Sequence, residues 1–463
     1  VRAAADSPTE TATAKGNGEV ATPIWSARRV PELLSRPVAA RRLNALLAPL
    51  SASVSGTHCL AVRDSSGRAL FGDSADTPLV PGSNMKLLTA AAALERLGPQ
   101  HRLRTTITAR SGVVDGVIEG DLHLVGGGDP LIVSESYLRT SRYGPYPHTP
   151  LASIADAVVA AGVVRVTGSI VGDEARYDAQ RSVPTWPARY LAEGQVGPLS
   201  ALSVNDARTY PVLEPAGAIA RPAPDPAVYA ATALGELLRA RGVRVDGPPR
   251  SGPAPAGATL IATVESLPVA EIVAQMLTFS DNNTAELLVK ELDAHQGRQG
   301  TTEGGLDVVR AVLASSVSDA GDATLTDGSG LDRGNRVSCD DLVELLVAER
   351  PDGALASGLA VAGETGTLRD RFVSSPQKGR ARAKTGTLRD VTALSGWVPG
   401  ADDAPLAFSF ILNTDERRVG PADLAIQERL VEAIATYPQQ PPLESLAPRP
   451  AAGKSVGVNR SGG

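Results

Sequence analysis

The sequence predicts an α+β protein: an antiparallel sheet flanked by helices, with a second, β-rich domain inserted into it. Three observations carry that reading. Short apolar strand patterns occur near both ends of the chain, at Cys59–Arg63 and Arg68–Phe71 early and at Arg380–Thr387, Thr392–Val398 and Leu406–Leu412 late. Between them lie strongly helical runs. After Gly98-Pro99 the pattern turns to β, and it returns to helix beyond the Pro/Gly stretch Gly247–Gly257. The expected division is a disordered tail over 1–27, a first domain made of 28–100 and 262–438, an inserted domain over 101–261, and a flexible tail over 439–463.

Each element has a local reason. Val38–Leu50 reads as an amphipathic helix, and Asp64-Ser65-Ser66-Gly67 is the turn of a hairpin between the first two strands. Pro81-Gly82 marks a turn, and the Leu/Ala run from Leu87 to Leu94 is strongly helix-forming. Leu103–Ala109 alternates as a half-buried strand should, and Val113–Gly120 and Asp121–Val125 continue the pattern. Gly126-Gly127-Gly128-Asp129-Pro130 lacks the Gly-Lys-Ser/Thr ending of a phosphate loop and reads as a turn. A helix over Ser153–Ala161 precedes a strand over Val164–Val171. Tyr210–Val228 is Pro-rich and loop-like, and Val228–Arg241 is helical. Further helices are expected at Val269–Thr278, Thr284–His295, Leu306–Ser315, Cys339–Glu349 and Leu424–Ala435.

Composition narrows the function. Across 463 residues, 51 acidic side chains outnumber 45 basic ones, and no basic run reaches five, so a nucleic-acid partner is not expected. Aromatic residues are 3% of the chain, too few for a base- or sugar-stacking surface. No stretch of about 18 apolar residues occurs, so no transmembrane segment is expected. The first two dozen or so residues, without periodicity, read as a tail left after removal of a signal peptide or anchor. Cys59 and Cys339 are the only cysteines, consistent either with one disulfide in an oxidising compartment or with two buried thiols. No metal site or cofactor is expected.

Chemistry enters at Ser83-Asn84-Met85-Lys86. At the start of a helix, residues three apart share a face, so the Lys86 amine reaches the Ser83 hydroxyl. A serine becomes nucleophilic when a neighbour takes its proton. A lysine can do so only when neutral, and the positive end of the helix disfavours its ammonium form. Two more motifs follow in order: Ser280-Asp281-Asn282 between helical runs, and Lys384-Thr385-Gly386 in a strand. Lysine is scarce in this chain, only six in all, which makes the two motif lysines informative.

Ser-x-x-Lys, Ser-Asp-Asn and Lys-Thr-Gly in that order resemble the penicillin-recognising serine acyltransferases. The gap from Ser83 to Ser280 is nearly twice that from Ser280 to Lys384. That long insertion is similar to the class C low-molecular-mass penicillin-binding proteins, the D-alanyl-D-alanine carboxypeptidase/endopeptidase family. Gly126–Pro130, Ser203-Val204-Asn205-Asp206, Asp327-Gly328-Ser329-Gly330-Leu331 and Gly363–Leu368 also look like that family, over roughly residues 28–438.

The resemblance implies a penicillin-recognising domain and an extracytoplasmic enzyme acting on peptidoglycan stem peptides, with β-lactams as covalent inhibitors. It implies that Ser83 attacks the carbonyl between two D-alanines and Lys86 takes its proton. Ser280 would relay a proton, and Asn282 would hold Lys86 and the substrate. Lys384 and Thr385 would bind the terminal carboxylate, and Gly386 would let substrate lie close. The backbone N–H groups of Ser83 and Thr387 would hold the oxyanion. Charge repulsion between the two lysines would help keep Lys86 neutral.

Two alternatives stand beside this reading. A β-lactamase would need a deacylating Glu-x-x-Leu-Asn segment; Glu303-Gly304-Gly305-Leu306-Asp307 is similar but reads more simply as a helix start. A wall-binding protein on the same fold would have no need of a neutral lysine. A Ser-His-Asp site is not expected, because the five histidines are scattered and no Gly-x-Ser-x-Gly elbow is present.

Overall fold

The computed structural model describes residues 25–30, 32–213, 218–318, 322–415, 417–439 and 442–448. The tail expected over 1–27 therefore lies mostly outside the described residues, as does the last part of that expected over 439–463.

A six-stranded antiparallel sheet forms the first body, in the order Ala360–Val361, Arg382–Thr387, Val391–Pro399, Pro405–Asn413, Thr57–Asp64, Ala69–Asp73. Its central strands are buried on both faces. Successive side chains of a strand point to opposite sides, so Cys59 and Ala61 enter one core while Leu60 and Val62 enter another. The first core holds the helices Met85–Arg96, Val269–Phe279, Asn282–Ala294, Thr302–Ser316 and Cys339–Glu349. The second holds Glu32–Ala52 and Pro421–Ile434. Met85–Arg96 is the innermost helix, with every side chain from Met85 to Leu94 buried. Its alanines let three neighbouring helices approach closely. Cys59 and Cys339 are joined, tying a central strand to the start of a helix on the same face.

The strands between Arg102 and Pro268 pair only among themselves. Five form a mixed sheet in the order Arg250–Ser251, Ile170–Asp173, Leu122–Val125, Arg102–Ala109, Thr259–Pro268. Helices Leu151–Ala160 and Pro226–Ala240 cover it and share its apolar core. The last strand runs to Pro268, past the Pro/Gly stretch and past residue 261, before the first helix of the returning body begins at Val269.

Two further expectations differ. The strand expected over Val164–Val171 is two strands in different sheets, Arg165–Val166 and Ile170–Asp173. Between them Gly168 passes so close to Gly120 that a β-carbon would stand 2.6 Å from its carbonyl oxygen, so the chain turns a corner there. In the stretch expected to be a flexible tail, Leu443–Leu446 form a short helix beside Glu32–Ala52, and Arg28 donates to the carbonyls of Ser445 and Ala447.

Candidate active site

The nucleophile candidate is fixed by its turn. Gly82-Ser83-Asn84 is one 3₁₀ turn, entered at positive φ by Gly82 and continued directly by the Met85–Arg96 helix. Two ties hold the turn to the sheet. Val80 exchanges hydrogen bonds with the Asn413 amide, and Asn84 Nδ2 donates to Ser395 Oγ at 2.6 Å. Lys86 then falls in the first turn of the helix, fully buried, with Nζ 3.1 Å from Ser83 Oγ.

The second motif joins two helices. Ser280 ends Val269–Phe279 in the left-handed conformation, φ 61°. Asp281 caps Asn282–Ala294 by accepting from the Thr284 N–H, and it also accepts from Gln275 Nε2. That geometry turns Asn282 toward the lysine, and Lys86 Nζ donates to Asn282 Oδ1 at 2.7 Å. The third motif is a strand with a free edge. Ala360–Val361 pairs only with Ala383 and Arg382, so Lys384–Thr387 leave one side unpaired toward the serine. Lys384 is fully buried and donates to Ser280 Oγ and to the Thr385 carbonyl, both at 2.8 Å. Backbone groups alternate between strand edges, so the Thr385 carbonyl and the Thr387 N–H share the open one. A β-carbon on Gly386 would stand 2.6 Å from the Pro81 carbonyl and 3.3 Å from the Ser83 nitrogen, a measure of how tightly strand and turn pack.

Ser83, Lys86, Ser280, Asn282, Lys384, Thr385, Gly386 and Thr387 are thus brought to one place. A cleft of about 1000 Å³ opens over them, lined by Ser83, Ser280, Asn282 and Thr387 and rimmed by Arg189, Arg333, Arg389 and Arg418.

Comparison with known proteins is decisive. The family described as D-Ala-D-Ala carboxypeptidase 3 (S13) matches residues 43–223 and 217–435.

The chain belongs to that S13 family.

Its relatives include a D-alanyl-D-alanine carboxypeptidase of an Actinomadura species, 31% identical over 84% of this chain and 82% of that one. The Mycolicibacterium smegmatis protein "Carboxypeptidase DacB" is 32% identical over 83% of each chain. The solved penicillin binding protein 4 (dacB) from Haemophilus influenzae shares the fold, with a TM-score of 0.71 at 20% identity, over 84% of this chain and 99% of that one.

Three groups in this S13 chain escaped the sequence reading. The Ser329 carbonyl accepts from Lys86 Nζ at 2.7 Å. The Gln195 carbonyl accepts from Asn282 Nδ2 at 2.7 Å and so fixes which end of that amide faces the lysine. Thr367 Oγ1 lies 2.9 Å from Thr385 Oγ1, so the Gly363–Leu368 stretch touches the third motif. Ser329 and Thr367 fall in stretches whose likeness to the family was visible. Gln195 had no signal, since a main-chain oxygen belongs to every residue type.

Electrostatics single out the two lysines. Burial brings Lys86 down to about 8, against the pull of the Asp327, Glu286 and Asp281 carboxyls, which favour its ammonium form. Burial also pushes Lys384 well below the usual lysine range, and the nearby Lys86 adds to that. The repulsion expected to help neutralise Lys86 thus falls on Lys384, while Lys86 is lowered by desolvation. Of the alternative sites, Glu303 is exposed in the first turn of Thr302–Ser316 and is absent from the cleft lining. Ser51, His58 and Asp73 do meet, but Ser51 touches both partners while His58 Nδ1 faces the Gly56 carbonyl. Asp73 also approaches His58 Nε2, at 3.6 Å, the nitrogen that Ser51 meets, so no acid holds Nδ1 as a catalytic triad requires, and the cluster ties a helix end to a hairpin. The Gly126–Gly128 turn is closed: a β-carbon on Gly127 would stand 1.9 Å from the Arg104 carbonyl, leaving no phosphate cradle.

Proposed function

We propose that this enzyme is a serine D-alanyl-D-alanine carboxypeptidase in which Ser83 is the nucleophile and Lys86 its general base. One observation carries the reading. A neutral amine has two N–H donors and one lone pair. Asn282 Oδ1 and the Ser329 carbonyl can only accept, and each lies 2.7 Å from Lys86 Nζ. Together they occupy both donors, which leaves the lone pair for the Ser83 O–H.

The reaction then follows. The stem peptide lies along the open edge of Lys384–Thr387 as an added strand. Lys384, with Thr385, holds the terminal carboxylate. Ser83 Oγ bonds to the carbonyl carbon between the two D-alanines, and its proton passes to Lys86. The oxyanion sits between the Ser83 and Thr387 N–H groups, each such donor contributing about 10²–10³ in rate. Collapse breaks the peptide bond, and the departing amine takes a proton through Ser280. Water then cleaves the Ser83 ester. A cross-link is opened by the same steps when the departing amine belongs to another stem peptide. β-Lactams, whose ring amide replaces the peptide bond, stop at the ester.

The Cys59–Cys339 bond supports an extracytoplasmic location, because disulfides persist in oxidising compartments. Among the described residues no helix is long and apolar enough to cross a membrane. We place the boundary of the inserted domain near Pro268, where its sheet ends. The test is mass spectrometry after penicillin treatment. The adduct is expected on the peptide carrying Ser83, with D-alanine release from a pentapeptide substrate. A Ser83→Ala protein that still hydrolyses the pentapeptide refutes the mechanism.

A further inference from the structure

The loop that supplies the Ser329 carbonyl is held by an acid outside all three motifs. Glu286 is fully buried, and its Oε1 accepts from the Gly328 N–H at 3.1 Å and the Ser329 N–H at 2.8 Å. Its Oε2 has no partner, and among the described residues it makes no ion pair. Burying an unpaired carboxyl is costly, and an apolar side chain would avoid that cost. Glu286 stands four residues after Asn282 on one helix, so the two share a face. The same helix therefore presents one Lys86 acceptor directly and aims the other through Glu286. The loop has little other freedom, because Thr89 Oγ1 donates to the Gly328 carbonyl at 2.8 Å and a β-carbon on Gly330 would stand 1.8 Å from the Gly82 carbonyl.

We propose that Glu286 is a positioning residue of the reaction: through the Ser329 peptide it turns the Ser329 carbonyl onto Lys86 Nζ and so directs the amine's lone pair at Ser83. The inference rests on the Ser83–Lys86 reading above. It assigns the effect to where Oε1 sits, and charge is secondary. Burial and the neighbouring Asp327 raise the Glu286 carboxyl to about 8, so near neutral pH it is largely uncharged. The charged groups facing it are Lys86 and Asp327.

Two substitutions separate position from charge. Glu286→Gln keeps an acceptor in place and removes the charge. Glu286→Asp keeps the acid and withdraws the acceptor by one methylene. Benzylpenicillin acylation is followed by stopped flow at pH 7, with active sites titrated and melting temperatures recorded. Glu286→Gln is expected to acylate within about threefold of the parent. Glu286→Asp is expected to lose about 100-fold in the acylation rate constant at unchanged non-covalent affinity, as an ångström-scale misplacement does. A purely structural role would lower the melting temperature and the titratable fraction, leaving the rate per titrated site alone. The proposal is overturned if Glu286→Asp acylates at the parent rate, or if Glu286→Gln is as slow as Glu286→Asp. Ser83→Ala, run alongside, distinguishes failure of the underlying reading: labelling that survives it removes the nucleophile itself.

Discussion

The state of Lys86 makes the sharpest prediction, and pH is the perturbation. An ordinary lysine near 10.5 is neutral about three times in ten thousand at pH 7; one at about 8 is neutral about one time in ten. Burial thus multiplies the reactive form by roughly 300. The sign follows from which form reacts. Below about 8 the ammonium dominates, so acylation should fall tenfold per pH unit. Above it the amine is already neutral, and this limb levels off. The second-order rate constant for a β-lactam should therefore rise with pH and level off above about 8. Stopped-flow acylation from pH 5.5 to 10 measures it. A flat profile through pH 6–9, or an acid limb centred near 10.5, refutes Lys86 as a base tuned by burial.

Other outcomes follow from the same contacts. Amidating the terminal carboxylate of a peptide substrate removes a charge-assisted bond to Lys384, worth about 1.5–3 kcal/mol, so kcat/KM should drop about 10–100-fold; equal turnover of acid and amide would exclude that anchor. Asn282→Ala deprives Lys86 of an acceptor and should cut the acylation rate constant about 100-fold with little change in melting temperature. Gly386→Ala drives a β-carbon to within 2.6 Å of the Pro81 carbonyl, and penicillin labelling of the folded protein should fall sharply. Reducing the Cys59–Cys339 bond should lower the apparent melting temperature, as expected for the loss of about 2–4 kcal/mol, while non-reducing and reducing scans that coincide would deny the bond a stabilising role.

What the sequence revealed and what it hid divide along a physical line. Five of the six strands of the sheet were legible, the central ones because they are buried on both faces and read as apolar runs, and the helices around it repeat at helical spacing, whereas the two-residue strand Ala360–Val361 was not read. Breaks were harder. Val164–Val171 alternates apolar and polar residues almost throughout, as one half-buried strand would, so nothing in its pattern marks the corner at Thr167-Gly168-Ser169 except a glycine whose neighbour, Gly120, is distant in sequence. The motifs announced Ser83, Lys86, Asn282 and Lys384 because their chemistry lives in side chains. Half of the lysine's surroundings does not. The Ser329 carbonyl does its work through the backbone, as does the Gln195 carbonyl that sets the Asn282 amide. Residue identity is silent about such groups. It speaks only one step away, in the side chains that hold the peptide still. Asp327 accepts from the Gly330 and Asp332 N–H groups and from Trp186 Nε1, while Glu286 takes Gly328 and Ser329. Two buried acids gripping one loop beside a buried lysine are the trace that a main-chain acceptor leaves in sequence. Neither stands in the three catalytic motifs, though Asp327 opens a family-like stretch, because each acts on the amine through a peptide bond that any residue could have supplied.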